Sequence, residues 1–250
     1  MTAPALGRCM YGVGVMALGA ACLAAADFVV AQPLPKDFAH RGALAFASAA
    51  FLLVAGAAIE WRRTVAHAAA ALVVFYAAAV VLVDGPALVA GYAVYATYSG
   101  IAEQVAIMAA ALIVHAASAN IDPSRAARMT RIGQVVFGLC ALLFGGAHFV
   151  YIDFTVPWVP KYLPPSQAFW AYATGVAHIA AGLAILTGVQ ARLAAILLTI
   201  MYASFTPLVH LPMLLAHPAS HANWSENAIN LALTGGAWVV ADSFARARRI

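Results

Sequence analysis

Residues 131–152 read RIGQVVFGLCALLFGGAHFVYI, and Arg131 is the one charged side chain in this stretch. An apolar run of this length can cross the hydrocarbon core of a bilayer, which takes about 20 residues in a helix. Seven further apolar runs can be drawn, at about residues 9–32, 44–60, 66–83, 100–117, 167–187, 192–215 and 227–243. The sequence therefore predicts an all-α polytopic membrane protein with about eight transmembrane helices.

The composition excludes a water-soluble fold. Of the 250 residues, 65% are hydrophobic and 9% are charged, whereas a soluble domain carries about 25% charged residues. The mean hydropathy is +0.90 and the pI is about 9.1. The arginines that make the chain basic are spread over separate short loops, so they indicate membrane topology rather than a nucleic-acid surface.

The chain resembles two copies of one four-helix unit, because residues 10–118 and 131–243 carry similar polar positions in the same order. Allowing small gaps, five matches can be drawn: Asp27-Phe28-Val29 with His148-Phe149-Val150, Leu34-Pro35 with Leu163-Pro164, Ala55-Gly56 with Ala181-Gly182, Arg63 with Arg192, and Glu103-Gln104 with Glu226-Asn227. We therefore predict two tandem four-helix bundles, with a first unit at residues 1–118, a cytoplasmic linker at 119–130 and a second unit at 131–250.

The basic residues indicate which side of the membrane the termini face. Eight crossings place both termini on one side, and ten of the 13 basic residues fall on that side. The other side holds only Lys36, Arg41 and Lys161. Cytoplasmic loops are enriched in lysine and arginine, so we expect both termini in the cytoplasm of a bacterial-type plasma membrane.

Ionisable side chains inside a bilayer are unfavourable and therefore point to function. At a rise of about 1.5 Å per residue, His148 and His210 lie about 25–27 Å above the cytoplasmic arginines, and His178 lies nearer the middle of its span. Glu226 and Asn227 lie at the outer start of the last span, at a depth similar to that of His148 and His210. We predict a cofactor-binding cluster in the outer half of the second bundle, formed by His148, His178, His210, Glu226, Asn227 and Asn230.

The first half carries fewer such groups, namely Asp27, Glu103 and Gln104. Alanine and valine are expected where the second half has His178 and His210. The first copy is accordingly predicted to be a scaffold and the second to hold the site.

Two histidines at one depth on different helices could ligate haem or a metal ion, with a carboxylate in support. The same groups could bind the oxygens of a quinone headgroup and transfer its protons. Alternatively, each polar side chain ties two helices together by a hydrogen bond. Cys9, Cys22 and Cys140 form no Cys-x-x-Cys pair, which argues against a dithiol mechanism. No catalytic residue and no metal ligand set can be assigned from these patterns.

The second half resembles DoxX-like membrane proteins. The resemblance rests on Phe-Gly-Gly-Ala-His-Phe-Val-Tyr at 144–151, Val-Pro-Lys-Tyr-Leu-Pro-Pro at 159–165, Gly-Val-Ala-His-Ile-Ala-Ala-Gly-Leu-Ala-Ile-Leu-Thr-Gly at 175–188 and Trp-Ser-Glu-Asn at 224–227. It implies a four-helix unit in a bacterial-type membrane and a link to redox metabolism, through quinones or oxidative stress. This chain is two units long and so departs from the family pattern.

Three functions follow as hypotheses. The first is a redox protein with a quinone or metal-type cofactor in the second bundle and a soluble or membrane redox partner. The second is a non-catalytic scaffold that recruits redox or stress proteins. The third is a small-solute transporter built from two parallel repeats. Whether the protein is an enzyme is left open by the sequence.

Overall fold

The computed structural model describes residues 6–30, 32 and 34–247, so the basic residues Arg248 and Arg249 lie outside the described part. Within that part the chain is helical and has no β-strand. Among the described residues, eight helices are long and apolar enough to cross a membrane: α1 Leu6–Ala25, α2 Arg41–Ile59, α3 Val65–Ala90, α4 Tyr95–Ser118, α5 Pro123–Val150, α6 Gln167–Thr187, α7 Ala191–Ala216 and α8 His221–Ala247. The predicted all-α polytopic class is confirmed.

The connection between the two units is shorter than the predicted linker at 119–130. Helix α5 begins at Pro123, whose fixed φ suits the first helical turn, and only residues 119–122 are non-helical. The Asp122 carboxylate caps the helix by accepting the backbone N–H groups of Ser124 and Arg125 at 2.9 and 3.1 Å. The Ser124 hydroxyl and these amides hold the pKa of Asp122 below its ordinary value.

The repeat keeps one register without gaps. Helices α2, α3 and α4 begin at Arg41, Val65 and Tyr95, and α6, α7 and α8 each begin 126 residues later, at Gln167, Ala191 and His221. Close helix contacts follow the same spacing, because Gly12 packs on Gly56 just as Gly138 packs on Gly182. Of the five predicted matches, the pairing of Ala55-Gly56 with Ala181-Gly182 keeps this register and the other four are wrong. Small residues at helix contacts fix the register, whereas isolated polar residues do not.

Both third helices are interrupted at the same place by one π-helical turn, Val80–Asp84 in α3 and Thr206–His210 in α7. A proline follows each turn two residues later, Pro86 and Pro212. Proline lacks an N–H and clashes with the preceding turn, so it commonly accompanies such a break. Asp84 and His210 consequently occupy equivalent positions at the end of the wide turn.

The eight helices pack in a closed order, each against the next along the chain and α8 against α1. The first helix of each unit contacts the fourth helix of the other, since α1 packs on α8 and α5 packs on α4. Helices α4 and α8 also contact each other, and the Tyr11 hydroxyl of α1 donates to the Ile107 carbonyl of α4 at 2.9 Å. The two units are therefore interlocked through their first and fourth helices.

Glycine allows the closest of these approaches. A Cβ placed on Gly14 would lie 2.4 Å from the Ala232 Cα, and one on Gly235 would lie 2.3 Å from the Tyr11 nitrogen. These contacts lie between α1 and α8. In membrane proteins small residues of this kind let helix backbones approach closely, and packing then supplies the association energy.

Candidate functional site

Two histidines of the second unit lie side by side. The rings of His148 on α5 and His178 on α6 have centroids 5.1 Å apart. Helices α5 and α6 meet here through glycine, because a Cβ on Gly145 would lie 2.8 Å from the Gly175 carbonyl oxygen. The pair therefore differs in depth by at most about one helical turn. His178 lies near the middle of α6, as predicted, and its ring still contacts that of His148.

Both rings use the same nitrogen to bond the backbone. The Nδ1 atom of His148 lies 3.0 Å from the Ala171 carbonyl oxygen, and Nδ1 of His178 lies 2.8 Å from the Thr174 carbonyl oxygen. A carbonyl can only accept, so Nδ1 carries the proton in each neutral ring and Nε2 keeps its lone pair. Two imidazole nitrogens that can accept a hydrogen bond or bind a metal are thus available at one site.

A buried tyrosine completes this group. The Tyr202 ring on α7 lies 5.4 Å from the His178 ring between centroids, and 3% of the residue is exposed. Its hydroxyl is buried and has no hydrogen-bond partner in the described part of the chain. A buried hydroxyl without a partner is unfavourable by about 1–3 kcal/mol. A polar ligand atom at this position would relieve that penalty.

Asn230 supports the turn that carries Tyr202. Its side-chain amide donates to the Tyr202 carbonyl oxygen and to the Thr206 hydroxyl, both at 3.0 Å. The Tyr202 carbonyl lies one turn before the π-helical segment Thr206–His210, and in the first unit the equivalent Tyr76 carbonyl accepts the N–H of Val80. Asn230 therefore ties α8 to the part of α7 where the π-helical turn begins, and the structure gives this predicted cofactor ligand a role in holding α7.

Two carboxyl groups approach from the fourth helices of both units. Glu103 on α4 and Glu226 on α8 lie within electrostatic range of each other. The Tyr202 hydroxyl is in the same range of the Glu103 carboxyl and of the Cys140 thiol. The first unit thus contributes an acidic side chain within electrostatic range of Tyr202. The predicted scaffold role of the first copy does not account for this placement.

His210 and Asn227 lie elsewhere. The His210 ring packs edge-on against Trp158, 6.4 Å between centroids, in the loop that follows α5. Asn227 lines an apolar groove of about 300 Å³ between α1 and α8. Glu226 and Asn227 lie more than one turn inside α8, which begins at His221, so they do not open the last span. The structure therefore brings His148 and His178 together, and separates His210 and Asn227 from them.

Glu103 and Asp84 were not predicted as cofactor-binding residues by the sequence analysis. A comparison at the constant 126-residue spacing gives no signal for Glu103, which aligns with Ile229, but it identifies Asp84. It aligns Tyr76 with Tyr202 and Asp84 with His210, within the similar runs YAAAVVLVDGP at 76–86 and YASFTPLVHLP at 202–212. The first unit was predicted to have alanine and valine at the positions of His178 and His210. This is wrong, because Leu52 aligns with His178 and Asp84 aligns with His210.

A metal ion would find few ligands in the described part of the chain, where no three His, Cys, Asp or Glu side chains gather into a possible metal site. The donors present are the two imidazole nitrogens with a phenol and carboxyls nearby. This set suits a hydrogen-bonded organic ligand better than a structural metal, which usually takes four protein ligands.

Comparison with known proteins bears on the second unit alone. Residues 137–240 match a family described as a domain of unknown function (DUF8561). The match covers less than half of the chain and spans α5 to α8, including all six predicted cofactor residues. No curated protein and no solved structure matches the chain significantly.

Proposed function

We propose that the protein is a DoxX-like redox protein of a bacterial-type plasma membrane, and that its second unit binds a quinone-type ligand at His148, His178 and Tyr202. The observation that carries this proposal is the pairing of two free imidazole Nε2 atoms with a buried tyrosine hydroxyl that lacks a partner. The three groups lie within one membrane-embedded region, where an apolar ligand dissolved in lipid can reach a protein.

The hydrogen-bonding capacity of these groups fits both redox forms of such a ligand. The imidazole Nε2 atoms accept hydrogen bonds from the hydroxyl groups of a hydroquinone. The Tyr202 hydroxyl donates to a quinone carbonyl oxygen. When bound, a quinone-type ligand supplies reversible transfer of electrons together with protons. Glu103 lies within electrostatic range of the tyrosine and of Glu226, and these carboxyls can hold the proton that is exchanged.

The proposed orientation places both termini in the cytoplasm. The loops and helix ends on that face carry Arg62 and Arg63 between α2 and α3, and Arg192 at the start of α7. Arg131 belongs to the same face, because its guanidinium donates to the Ile185 and Leu186 carbonyl oxygens at the end of α6. The proposed ligand site then lies toward the opposite, outer half of the membrane.

Transport of a small solute is the second candidate. The observation that favours it is the matching π-helical turn in α3 and α7, which gives each repeat a broken helix with an ionisable side chain at the break. Transporters commonly bind substrates at discontinuous helices of repeated units. Counterflow of a labelled solute in vesicles, independent of redox state, would favour this function.

The test of the redox proposal is native mass spectrometry of protein released from mild detergent, with His178→Leu as the main variant. Leucine is the residue that the first unit places at the equivalent position, Leu52, where it is buried at 1% exposure. The variant should therefore fold. His67→Leu is the matched control, because His67 lies on the exposed side of α3.

We expect a stoichiometric adduct of quinone mass in the wild type and in His67→Leu, and its loss in His178→Leu. Tyr202→Phe should retain less of the adduct than the wild type. An adduct that survives His178→Leu would place the ligand elsewhere. A bare polypeptide mass in the wild type would reject a tightly bound quinone and direct attention to protein partners.

A further inference from the structure

A second polar site lies in the first unit, away from the histidine pair. A cavity of about 170 Å³ opens between the end of α3 and the start of α4. Its walls are mainly small or apolar side chains, and its polar side chains are Asp84 and Thr97. The cavity exists because Gly100 stands where the second unit has Glu226, and a Cβ on Gly100 would meet no atom within 4 Å.

The Asp84 carboxyl has unused hydrogen-bonding capacity. One oxygen, Oδ2, accepts the side-chain amide of Gln104 at 2.7 Å. The other, Oδ1, is buried and has no partner among the residues that the structure describes, and the residue is 1% exposed. An acidic group this deeply buried in a membrane helix needs a counter-ion or a further hydrogen bond.

Among the described residues that line it, the cavity offers acceptors and no side-chain donor. The Thr97 hydroxyl donates its hydrogen to the Gly91 carbonyl oxygen at 3.2 Å, so only its lone pairs are available to a ligand in the cavity. The remaining lining side chains are Val30, Ala87, Ala96 and Ile101, with Gly100 beside them, and none of these can donate. A ligand that matches this lining must supply N–H or O–H groups, and a positive charge would compensate the carboxylate.

We infer that this cavity binds a primary ammonium group, with Asp84 as its counter-ion. An ammonium brings three donors and one positive charge, which fits Oδ1 of Asp84 and the hydroxyl oxygen of Thr97. The group can belong to a free alkylamine or to the ethanolamine headgroup of a phospholipid. The site is independent of the quinone proposal, because it uses no residue of the histidine pair.

The test is calorimetric titration of the full-length protein with ethylammonium chloride, in nanodiscs made of phosphatidylcholine. Asp84→Asn removes the charge and keeps the shape of the side chain. Asp37→Asn is the matched control, since it removes an exposed carboxylate from the loop on the same side of the protein. Gly100→Leu fills the cavity while leaving Asp84 in place, which covers the case in which Asp84→Asn does not fold.

We expect binding in the wild type and in Asp37→Asn, and binding weaker by about tenfold or more in Asp84→Asn and in Gly100→Leu, as for loss of one buried charged hydrogen bond. A second set of nanodiscs containing phosphatidylethanolamine separates the two sources. Competition by phosphatidylethanolamine would identify a lipid headgroup site, and the absence of competition would identify a site for a free amine. Equal binding by the wild type and both cavity variants, or no binding of either ammonium source, would overturn the inference.

Discussion

The third and fourth helices of the two units share a backbone and differ in the chemistry they carry. In the first unit, Gln104 donates to Asp84 at the end of the π-helical turn. In the second, Asn230 occupies the position of Gln104, yet it bonds the Tyr202 carbonyl, which precedes the turn, and not His210. The broken helix is thus common to both units, whereas the amide beside it bonds a carboxyl in the first unit and a backbone carbonyl in the second.

The first two helices differ in a parallel way. At the constant spacing, Cys22 and Leu52 of the first unit stand where the second has His148 and His178. The tyrosine beside them is present in both units, and Tyr76 and Tyr202 are each 3% exposed. The buried tyrosine is therefore common to both units, whereas the histidine pair is particular to the second unit.

The largest effect is expected at the interface between α1 and α8. Gly235→Ala should destabilise the protein by about 1–3 kcal/mol or more, because its new Cβ would meet the Tyr11 backbone and the helices would have to separate. The equivalent position in the α4–α5 interface already holds an alanine, Ala109. Unfolding in mixed detergent micelles measures the effect. Gly42→Ala is the control, because its Cβ would have no atom within 4 Å. Similar stability of both variants would show that the α1–α8 interface, like the α4–α5 interface, has room for an alanine.

A smaller effect is expected from Asn230→Ala, about 1–2 kcal/mol, because the Tyr202 carbonyl loses its donor in a buried site. Thr206→Val removes the other acceptor of the Asn230 amide. In that background Asn230→Ala should therefore be less destabilising. The same unfolding assay on the wild type, the two single variants and the double variant measures this coupling. An equal loss in both backgrounds would refute the coupling between Asn230 and Thr206.

The smallest effect is expected at the Asp122 cap between the units. Because the folded pKa of this carboxyl is lowered, its stabilisation is complete above its ordinary pKa of about 4. It is lost as the pH falls through the lower folded value. The Tm of Asp122→Ala should lie slightly below that of the wild type at neutral pH, and the gap should close in acid. A gap that is constant with pH would exclude a contribution from the charged cap.

Much of the fold could be predicted from the sequence, and the candidate site only in part. Residues 131–152 indicated a membrane span, and α6 runs from Gln167 to Thr187 as predicted. The predicted helix ends were less accurate where polar residues lie inside helices, as with Glu226 in α8 and the arginines at the start of α5. Depth counted from Arg131 placed His148 near the far end of its helix, which ends at Val150. It could not show which helix faces meet, because that depends on glycine contacts between helices.

The sequence by itself determined that the chain lies in a membrane, crosses it about eight times and is built from a repeated unit, because apolar length and charge placement decide these properties. Tertiary structure decided which polar residues share a site. Close packing at Gly145 and Gly175 brings the two histidines together, and the contact between α4 and α8 brings Glu103 toward Glu226. Such contacts depend on the rotation and crossing of each helix, which are set by all of its neighbours at once.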